Sequence, residues 1–358
     1  MEEALVILLE KISMEKVENL FNPDFVQGLF LEKVIPLYPD FKGIKKIKII
    51  PHKKLIWPQS FHIVLEFKTQ FIRNNDKIVS LSIFCSGHSH ESRKNVFEAL
   101  NYLWQKGFSN GYLSVPHPLF YYPQLNCSFY RGVIGNNLYH YIKEENLPVV
   151  EDVVFKAAKW FAKLHKIKPT AEANFNPTNS RILTVVPGRD HVLNSIKYRH
   201  PEYLSLYERA YSFFIKAEED FLSSTPDRCL VHGDAHPENI IKMGVKKIAV
   251  IDFTDLSLAD FARDLGCFLQ QVQYMVKRKI DDDAYGLKLQ EIFLENYLKN
   301  AKISLDKSLK QRISNYYYWT SLRTATFLLI SVYYSPERAK LLLNKLEDNL
   351  GGQISLFN

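Results

Sequence analysis

The stretch Leu230–Gly266 of this 358-residue chain reads LVHGDAHPENIIKMGVKKIAVIDFTDLSLADFARDLG. It contains two apolar runs, Asn239–Met243 and Lys247–Phe253, which flank a turn centred on Gly244-Val245-Lys246. Apolar runs separated by a short turn that contains glycine are typical of a β-hairpin. The segment therefore predicts two short strands joined by a tight turn.

Three oxygen-bearing side chains are expected to meet at the open end of this hairpin. Asn239 and Asp252 are equidistant from the turn, so they should lie opposite each other across the two strands. Asp234 lies in the short loop just before that end, together with His232 and His236. Carboxylates and a carboxamide are hard oxygen ligands of the kind that Mg²⁺ accepts alongside phosphate oxygens. A carboxylate that stays off the metal can orient an attacking hydroxyl, as phosphoryl transfer requires.

The order and spacing of these polar residues resemble those of one family of small-molecule kinases. The chain has H-G-D-A-H-P-E-N at 232–239 and I-D-F at 251–253, followed by Asp260 and Asp264-Leu265. This arrangement resembles the aminoglycoside phosphotransferases and the choline and ethanolamine kinases, which share the protein-kinase-like fold. The resemblance covers about residues 150–270.

The resemblance implies a role for each matching residue. Asp234 would be the catalytic base or the group that orients the hydroxyl, and Asn239 and Asp252 would be magnesium ligands. His232 would brace the catalytic loop, and Asp264 would anchor that loop from the following helix. The implied reaction uses ATP or GTP, with Mg²⁺, to phosphorylate a hydroxyl group of a small molecule such as an aminoglycoside, choline or a sugar.

Three further residues are weaker candidates for the site. His236 and Asp255 are candidates for contact with substrate or phosphate. Glu98 is a candidate for the acidic residue that, in this family, pairs with a lysine on the third strand of the small lobe. The predicted strand before it contains no lysine in Ile78–Cys85. That departure supports an alternative hypothesis, in which the chain is a catalytically weak or inactive relative that serves as a binding or scaffold protein.

The predicted fold class is α+β, with a bilobed protein-kinase-like architecture. Residues 1–133 are assigned to a small N-terminal lobe, with helices over 1–40 followed by an antiparallel sheet on the nucleotide side. The sheet is predicted from β-like stretches at Ile44–Ile50, Phe61–Phe71 and Lys77–Cys85. Residues 134–358 are assigned to a larger, mainly helical C-terminal lobe that carries the catalytic loop and the substrate site.

Apolar spacing and capping residues predict several local features. We expect helices over Ser89–Gly107 and Leu147–Ile167, and His165 near the end of the second is interpreted as a C-terminal cap. Ser257 is expected to cap the start of another helix. Residues 168–190, which contain several prolines and asparagines, show no period and predict a loop that supplies substrate contacts.

The composition argues against several other classes of protein. Lys and Arg outnumber Asp and Glu by 46 to 39, a net charge of +7, but the cations are dispersed rather than clustered as on a nucleic-acid-binding surface. The longest uncharged apolar-rich stretch, Thr324–Tyr334, is about half of the ~20 residues that a membrane span needs. The acidic opening of the sequence does not resemble a signal peptide, so a cytoplasmic protein with free thiols is expected.

A third hypothesis treats His232, Asp234 and His236 as ligands of a catalytic zinc or manganese ion in a hydrolase. It leaves Asn239 and Asp252 without a task, so it is the weakest of the three. The expected partner is therefore a small hydroxylated molecule, with no nucleic acid and no membrane, and the sequence does not indicate the oligomeric state.

Overall fold

The computed structural model describes residues 17–109, 111–225, 228–350 and 356–357. The chain forms two compact units. The first unit runs to Gly135 and includes Ala249–Thr254, and the second comprises Asn136–Ile248 and the residues from Asp255 onward. The stretch Leu230–Gly266, the motif segment, is therefore divided between the two units. Asp252 belongs to the first unit, whereas Asp234 and Asn239 belong to the second.

A five-stranded antiparallel sheet dominates the first unit. In chain order its strands are β1 (Phe41–Trp57), β2 (Ser60–Arg73) and β3 (Ile78–His88), then, after the two-residue β4 (Leu113–Ser114), β5 (His117–Tyr122) and β6 (Cys127–Arg131). Side by side they lie in the order β1-β2-β3-β6-β5. Alternate residues of β2 face the core, as the two-residue period of a strand requires. These buried side chains are Phe61, Ile63, Leu65, Phe67 and Phe71.

Helices α1 (Pro23–Lys33) and α2 (Lys94–Leu103) accompany this sheet in the described part of the chain. Phe30 of α1 packs edge-on against Phe67 of β2, with the ring centroids 5.3 Å apart. This aromatic contact places the apolar face of α1 on the sheet. The helices predicted within the first 16 residues lie outside the described part of the chain.

The three predicted strands and their antiparallel pairing are confirmed, but α2 begins at Lys94, five residues after the predicted start at Ser89. The cause is Asn126, which engages the intervening backbone. Its Nδ2 donates to the carbonyl oxygens of His88 and Glu91, and its Oδ1 accepts from the backbone N–H of Arg93. These hydrogen bonds occupy groups that an earlier helical turn would need.

The second unit is mainly helical. The predicted helix over 147–167 is confirmed to within two residues at its end. The helices Ala262–Lys279 and Lys307–Ile330 pack closely because residue 266 is glycine. A Cβ at this position would lie 2.6 Å from the backbone nitrogen of Tyr317. The helices are α3 (Leu138–Lys143), α4 (Leu147–His165), α5 (Arg189–Arg199), α6 (Leu204–Ser224), α7 (Ala262–Lys279), α8 (Asp283–Ala301), α9 (Lys307–Ile330) and α10 (Pro336–Leu350).

Short strands carry the motif segment. After β7 (Asn136–Asn137), the chain forms β8 (Cys229–Val231), the hairpin strands β9 (Ile240–Met243) and β10 (Lys247–Val250), and β11 (Ser257–Ala259). The predicted hairpin is thus present, although its second strand ends three residues before Phe253.

The prediction that Ser257 caps a helix is wrong. Ser257 lies in β11, which pairs antiparallel with β8 so that Ser257 faces Val231, and the following helix α7 begins at Ala262. Pairing with β8 fixes the backbone of residues 257–259 as extended, which is incompatible with a helix start there.

The predicted α+β fold class is confirmed, with an antiparallel sheet in the N-terminal region and a helical C-terminal part. Within the described residues, no helix combines the length and apolarity needed to cross a membrane. The four cysteines are free thiols.

Candidate active site

The buried carboxylate of Asp264 binds the backbone of the loop that follows β8. Asp264, fully buried in the first turn of α7, accepts hydrogen bonds from the backbone N–H groups of His232 (2.7 Å) and Gly233 (2.9 Å). Two main-chain donors on one carboxylate fix the path of the backbone immediately before Asp234.

His165 contacts the same carboxylate and helps to orient it. Its Nε2 lies 3.1 Å from Asp264 Oδ2, and its Nδ1 lies 2.8 Å from the hydroxyl of Tyr297. Burial raises the pKa of the Asp264 carboxyl, but the hydrogen bond and charge of His165, the charge of His232 and the backbone N–H of Gly233 together hold that pKa below its usual range. The interpretation of His165 as a helix cap is therefore wrong: its side chain is buried and bonded between α7 and α8.

Gly233 allows the loop to turn tightly over residue 255. Its φ is +84°, and a Cβ at this position would lie 2.6 Å from the carbonyl oxygen of Asp255. Because only glycine adopts this conformation without strain and has no Cβ to collide, the G of H-G-D is a geometric requirement.

Asp234 presents its carboxylate at the exposed side of the loop. About half of its side chain is exposed (48%), and its Oδ2 lies 3.2 Å from His236 Nε2. Burial raises the pKa of Asp234, but the charge and hydrogen bond of His236, together with the charges of His232 and Arg323, hold the pKa below its usual range. Asp234 is therefore an ionised hydrogen-bond acceptor at neutral pH.

Asn239 is bonded to the same aspartate through its amide nitrogen. Nδ2 donates to the backbone carbonyl of Asp234 at 3.0 Å and to its carboxylate at 3.3 Å. With the nitrogen committed in this way, the carbonyl oxygen Oδ1 is the atom of Asn239 that suits a hard cation such as Mg²⁺. The structure thus brings together Asp234, His236 and Asn239 on one short loop.

Asp255 lies beside Gly233 and is held by the loop predicted at 168–190. Asn179 Nδ2 donates to Asp255 Oδ1 at 2.6 Å, and Asn176 Nδ2 lies 3.4 Å from the same oxygen. Burial raises the pKa of Asp255 although the hydrogen bond from Asn179 opposes it. Asp255 is thus fixed in position by two amide side chains rather than by a cation.

A cavity of about 790 Å³ opens beside Asp234 and lies wholly within the second unit. A volume of this size is typical of a site for a small molecule. Its walls come from residues 232–239, the motif loop, from α7 and α9, and from the turn that follows α9. The lining includes Asp234, His236, Asp255, Arg263, Gln271, Tyr274, Arg278, Trp319, Arg323, Tyr333 and Arg338.

Residues 67–299, more than half of the chain, match the phosphotransferase enzyme family. The chain belongs to that family. The matched range contains the whole motif loop, the hairpin and Asp264. No curated protein sequence matches this phosphotransferase.

Three solved structures of similar fold are distant from this chain in sequence. A choline kinase from Cryptosporidium parvum Iowa II superposes with a TM-score of 0.60 at 10% identity, over 91% of this chain and 94% of that one. A Plasmodium vivax ethanolamine kinase gives 0.53 at 15% identity, over 84% and 81%. A spectinomycin phosphotransferase in complex with ADP and spectinomycin gives 0.52 at 12% identity, over 93% and 95%. At these identities the likeness shows the shared fold.

Asp252 lies in the first unit of this phosphotransferase, in a network that includes a buried arginine. Asp252 adopts a φ of 64°, and its Oδ1 accepts a 2.8 Å hydrogen bond from the hydroxyl of Thr254. Arg93, only 4% exposed, donates to that hydroxyl at 3.2 Å and to Glu91 at 3.0 Å. Among the described residues, Arg93 Nε has no hydrogen-bond partner.

Among the described residues, Glu98 pairs with a lysine of its own helix and with no residue of a strand. It lies on α2 with about half of its side chain exposed, and its carboxylate is 3.6 Å from Lys94 Nζ one helical turn earlier. As an exposed i,i+4 pair, this contact contributes a few tenths of a kcal/mol, about 0.3–0.5. Within the described part of the chain, the ion-pair partner of Glu98 is thus a residue of its own helix.

The His232, Asp234 and His236 side chains do not form a metal cluster. Within the described residues, no group of three or more His, Cys, Asp or Glu side chains is arranged to hold an ion. His232 is fully buried, and its Nδ1 accepts from the backbone N–H of Asp234 at 3.3 Å. Its ring supports the loop rather than a shared ion, which disfavours the hydrolase hypothesis.

Sequence reasoning missed Arg93, the bonding of His165, and the arginines of the cavity. Arg93 sits just before a helix, where no period or motif distinguishes it from a surface residue. The pattern of asparagines in 168–190 was the one available signal for the contacts of Asn176 and Asn179 to Asp255.

Proposed function

We propose that this chain is a kinase that transfers the γ-phosphoryl group of ATP or GTP to a hydroxyl group of a small molecule. The observation that carries the proposal is the ionised, half-exposed Asp234 carboxylate at a cavity of small-molecule size. The family match and the nucleotide complexes known for its structural neighbours support it.

In the proposed reaction Asp234 orients the acceptor hydroxyl and receives its proton. The hydroxyl oxygen forms a bond to the γ-phosphorus, and the bond from that phosphorus to the β,γ-bridging oxygen breaks, so that the nucleoside diphosphate leaves. Asp264, through the backbone N–H groups of His232 and Gly233, holds Asp234 in place during the transfer. Such fixed positioning is the main contribution of a protein to phosphoryl transfer.

Asn239 and Asp252 are the proposed ligands of Mg²⁺. Their oxygen donors suit this ion, and the bonded amide nitrogen of Asn239 leaves its oxygen for such a role. When bound, Mg²⁺ neutralises charge on the transferring phosphates. His236 and Asp255 are proposed to contact substrate or phosphate, and Glu98 remains the candidate acidic residue of the first unit.

The proposal is tested by separating nucleotide binding from turnover. We expect ATP with Mg²⁺ to raise the melting temperature of the wild-type protein, and Asp252→Ala to remove the magnesium-dependent part of that rise. Asp234→Asn should retain the rise but lose turnover by at least about a hundredfold, since it removes the proton acceptor. Asp348→Asn, an exposed aspartate on α10, is the control. Turnover that survives in Asp234→Asn contradicts the assignment.

A second candidate function is a binding or scaffold role without turnover. It is favoured by the local pairing of Glu98 with Lys94 and by the absence of lysine from Ile78–His88. A wild-type protein whose melting temperature is unchanged by millimolar ATP and Mg²⁺, and which releases no ADP with any hydroxylated acceptor, would support this candidate instead.

A further inference from the structure

The walls of the cavity beside Asp234 carry an excess of arginine. Four arginines line it: Arg263, Arg278, Arg323 and Arg338. Three carboxylates line it as well, Asp234, Glu238 and Asp255. The count alone is nearly balanced, so the question is which charges are already paired.

The acidic residues of the cavity have polar partners within the protein. Asp234 lies 3.2 Å from His236, and Asp255 accepts from Asn179 at 2.6 Å. Glu238 lies 3.9 Å from the other ring nitrogen of His236. Each carboxylate of the lining therefore already has a polar contact within the protein.

The arginines, in contrast, have no carboxylate partners among the described residues. Arg278 donates to the hydroxyl of Tyr139 at 2.5 Å, and Arg338 donates through Nε to the hydroxyl of Ser335 at 2.8 Å. Arg263, which is buried, donates to the backbone carbonyl of Asn179. Arg323 makes no hydrogen bond or salt bridge of its own to the described part of the chain, although its charge acts on Asp234 and Asp255. These guanidinium groups retain donors that can bind an anion.

Arg323 and Arg338 line the cavity, where they can contact an acceptor substrate, and are not on the fully exposed surface of the protein. Arg323 is on α9 and Arg338 on α10, both half-buried, and they flank a turn whose Tyr333 stacks on Phe327 with centroids 5.6 Å apart. A half-buried guanidinium binds a planar carboxylate or a phosphate with two parallel hydrogen bonds. Aromatic rings beside it bind the carbon skeleton of the same ligand.

We infer that the acceptor substrate is a hydroxylated small molecule that also bears an anionic group, a carboxylate or a phosphate, held by Arg323 and Arg338. The inference rests on the proposed function for the reacting hydroxyl, but the charge preference of the cavity stands on the arginines alone. Choline and ethanolamine are cationic alcohols. The acceptor inferred here differs from both in carrying a negative charge. The specificity follows from the repulsion of cations as well as from the attraction of anions.

The test uses three probes that share one polyol skeleton. Sorbitol is neutral, gluconate has a carboxylate at one end, and glucamine has a primary amine there. Binding of each to the full-length protein is measured by calorimetry without nucleotide, at low ionic strength. We expect gluconate to bind about tenfold or more tightly than sorbitol, and glucamine more weakly than both.

Variants show whether the named arginines cause this preference. Arg323→Gln and Arg338→Gln should each reduce the preference for gluconate by about three- to tenfold, as for the loss of one charge-assisted contact. Arg209→Gln, on the exposed face of α6 and paired with Glu347, is the matched control and should leave the preference unchanged. Melting temperatures of all variants verify that they are folded.

Four outcomes would overturn the inference. Equal affinities for gluconate and sorbitol, no detectable binding of gluconate, or tighter binding of glucamine would contradict an anion-selective cavity. In a separate calorimetric titration with ATP, a loss of ATP affinity in Arg323→Gln, together with an unchanged gluconate preference, would assign that guanidinium to the nucleotide instead. Because the binding assay contains no nucleotide, failure of the kinase proposal would appear as gluconate binding without ADP release, a separate result.

Discussion

Asp264 accepts a 2.9 Å hydrogen bond from the backbone N–H of Gly233, a contact that ties the first turn of α7 to the residue before Asp234. Through it, a fully buried side chain fixes the position of a half-exposed carboxylate. The stability of the second unit and the geometry of the candidate site therefore depend on the same group.

Replacing this carboxylate should unfold the loop and weaken the protein. In Asp264→Asn the new amide nitrogen would face the backbone N–H groups of His232 and Gly233, which donate hydrogen bonds to the carboxylate in the wild type. One of these buried N–H groups would then lose its acceptor. We expect a decrease of about 2–4 kcal/mol in the free energy of unfolding, measured with urea. The exposed Asp348→Asn should change it by less than about 0.5 kcal/mol. Equal effects of the two substitutions would show that Asp264 does not anchor the loop.

Alanine substitutions at two glycines with positive φ distinguish the cost of backbone strain from the cost of a steric collision. Gly233→Ala adds a methyl group 2.6 Å from the Asp255 carbonyl oxygen, whereas Gly244→Ala, at φ +70°, adds one with nothing within 4 Å. Both should lose about 1 kcal/mol of stability from the left-handed backbone. Gly233→Ala should in addition lower kcat at least about tenfold, because the collision displaces Asp234. Indistinguishable kinetics in the two variants would contradict the close approach.

A buried glutamate should make stability fall as the pH rises. Glu218 is 6% exposed and accepts from the backbone N–H of Ile182 (2.7 Å) and the hydroxyl of Tyr316 (2.9 Å), and burial raises its pKa. Above the ordinary glutamate pKa of about 4.3, the unfolded chain releases this proton while the folded chain retains it. The free energy of unfolding therefore decreases from that pH up to the raised pKa.

Glu218→Gln should remove this decrease, because the amide has no proton to lose. Urea unfolding at pH 4.5 and pH 7 should show a variant that becomes more stable relative to the wild type at the higher pH. Glu219→Gln, which alters the half-exposed neighbour paired with Arg181, is the control. Parallel pH profiles for wild type and Glu218→Gln would exclude a linked proton at this site.

The hydroxyl of Thr254 should affect nucleotide binding through Asp252. Thr254→Val removes both the 2.8 Å hydrogen bond to Asp252 and the acceptor for Arg93, with little change of volume. Losing a bond worth about 1 kcal/mol should weaken Mg·ATP binding by roughly three- to tenfold in calorimetry. The exposed Thr184→Val, whose hydroxyl bonds to Thr178, should bind Mg·ATP like the wild type. An unchanged affinity in Thr254→Val would show that the network around Arg93 is purely structural.

Most of the fold could be predicted because local patterns and global packing agree. The alternation in β2 and the helical spacing of α4 are each satisfied by one buried face, so the sequence positions of these elements follow from their apolar residues. Predictions failed where a distant residue decided the backbone. Asn126 delayed the start of α2, and pairing with β8 turned Ser257 from a helix cap into a strand residue.

The candidate site divides in the same manner. Its ordered motif from His232 to Asp264, the glycine within it and the hairpin turn are local in the chain, and the sequence alone determined them because spacing along a loop and a strand limits which side chains can meet. The partners of those residues were decided by tertiary structure: His165 for Asp264, Asn179 for Asp255, and the arginines that α9 and α10 bring to the cavity. Elements far apart in the chain meet only when apolar burial packs them together, and the charge of the cavity that results is a property of that packing.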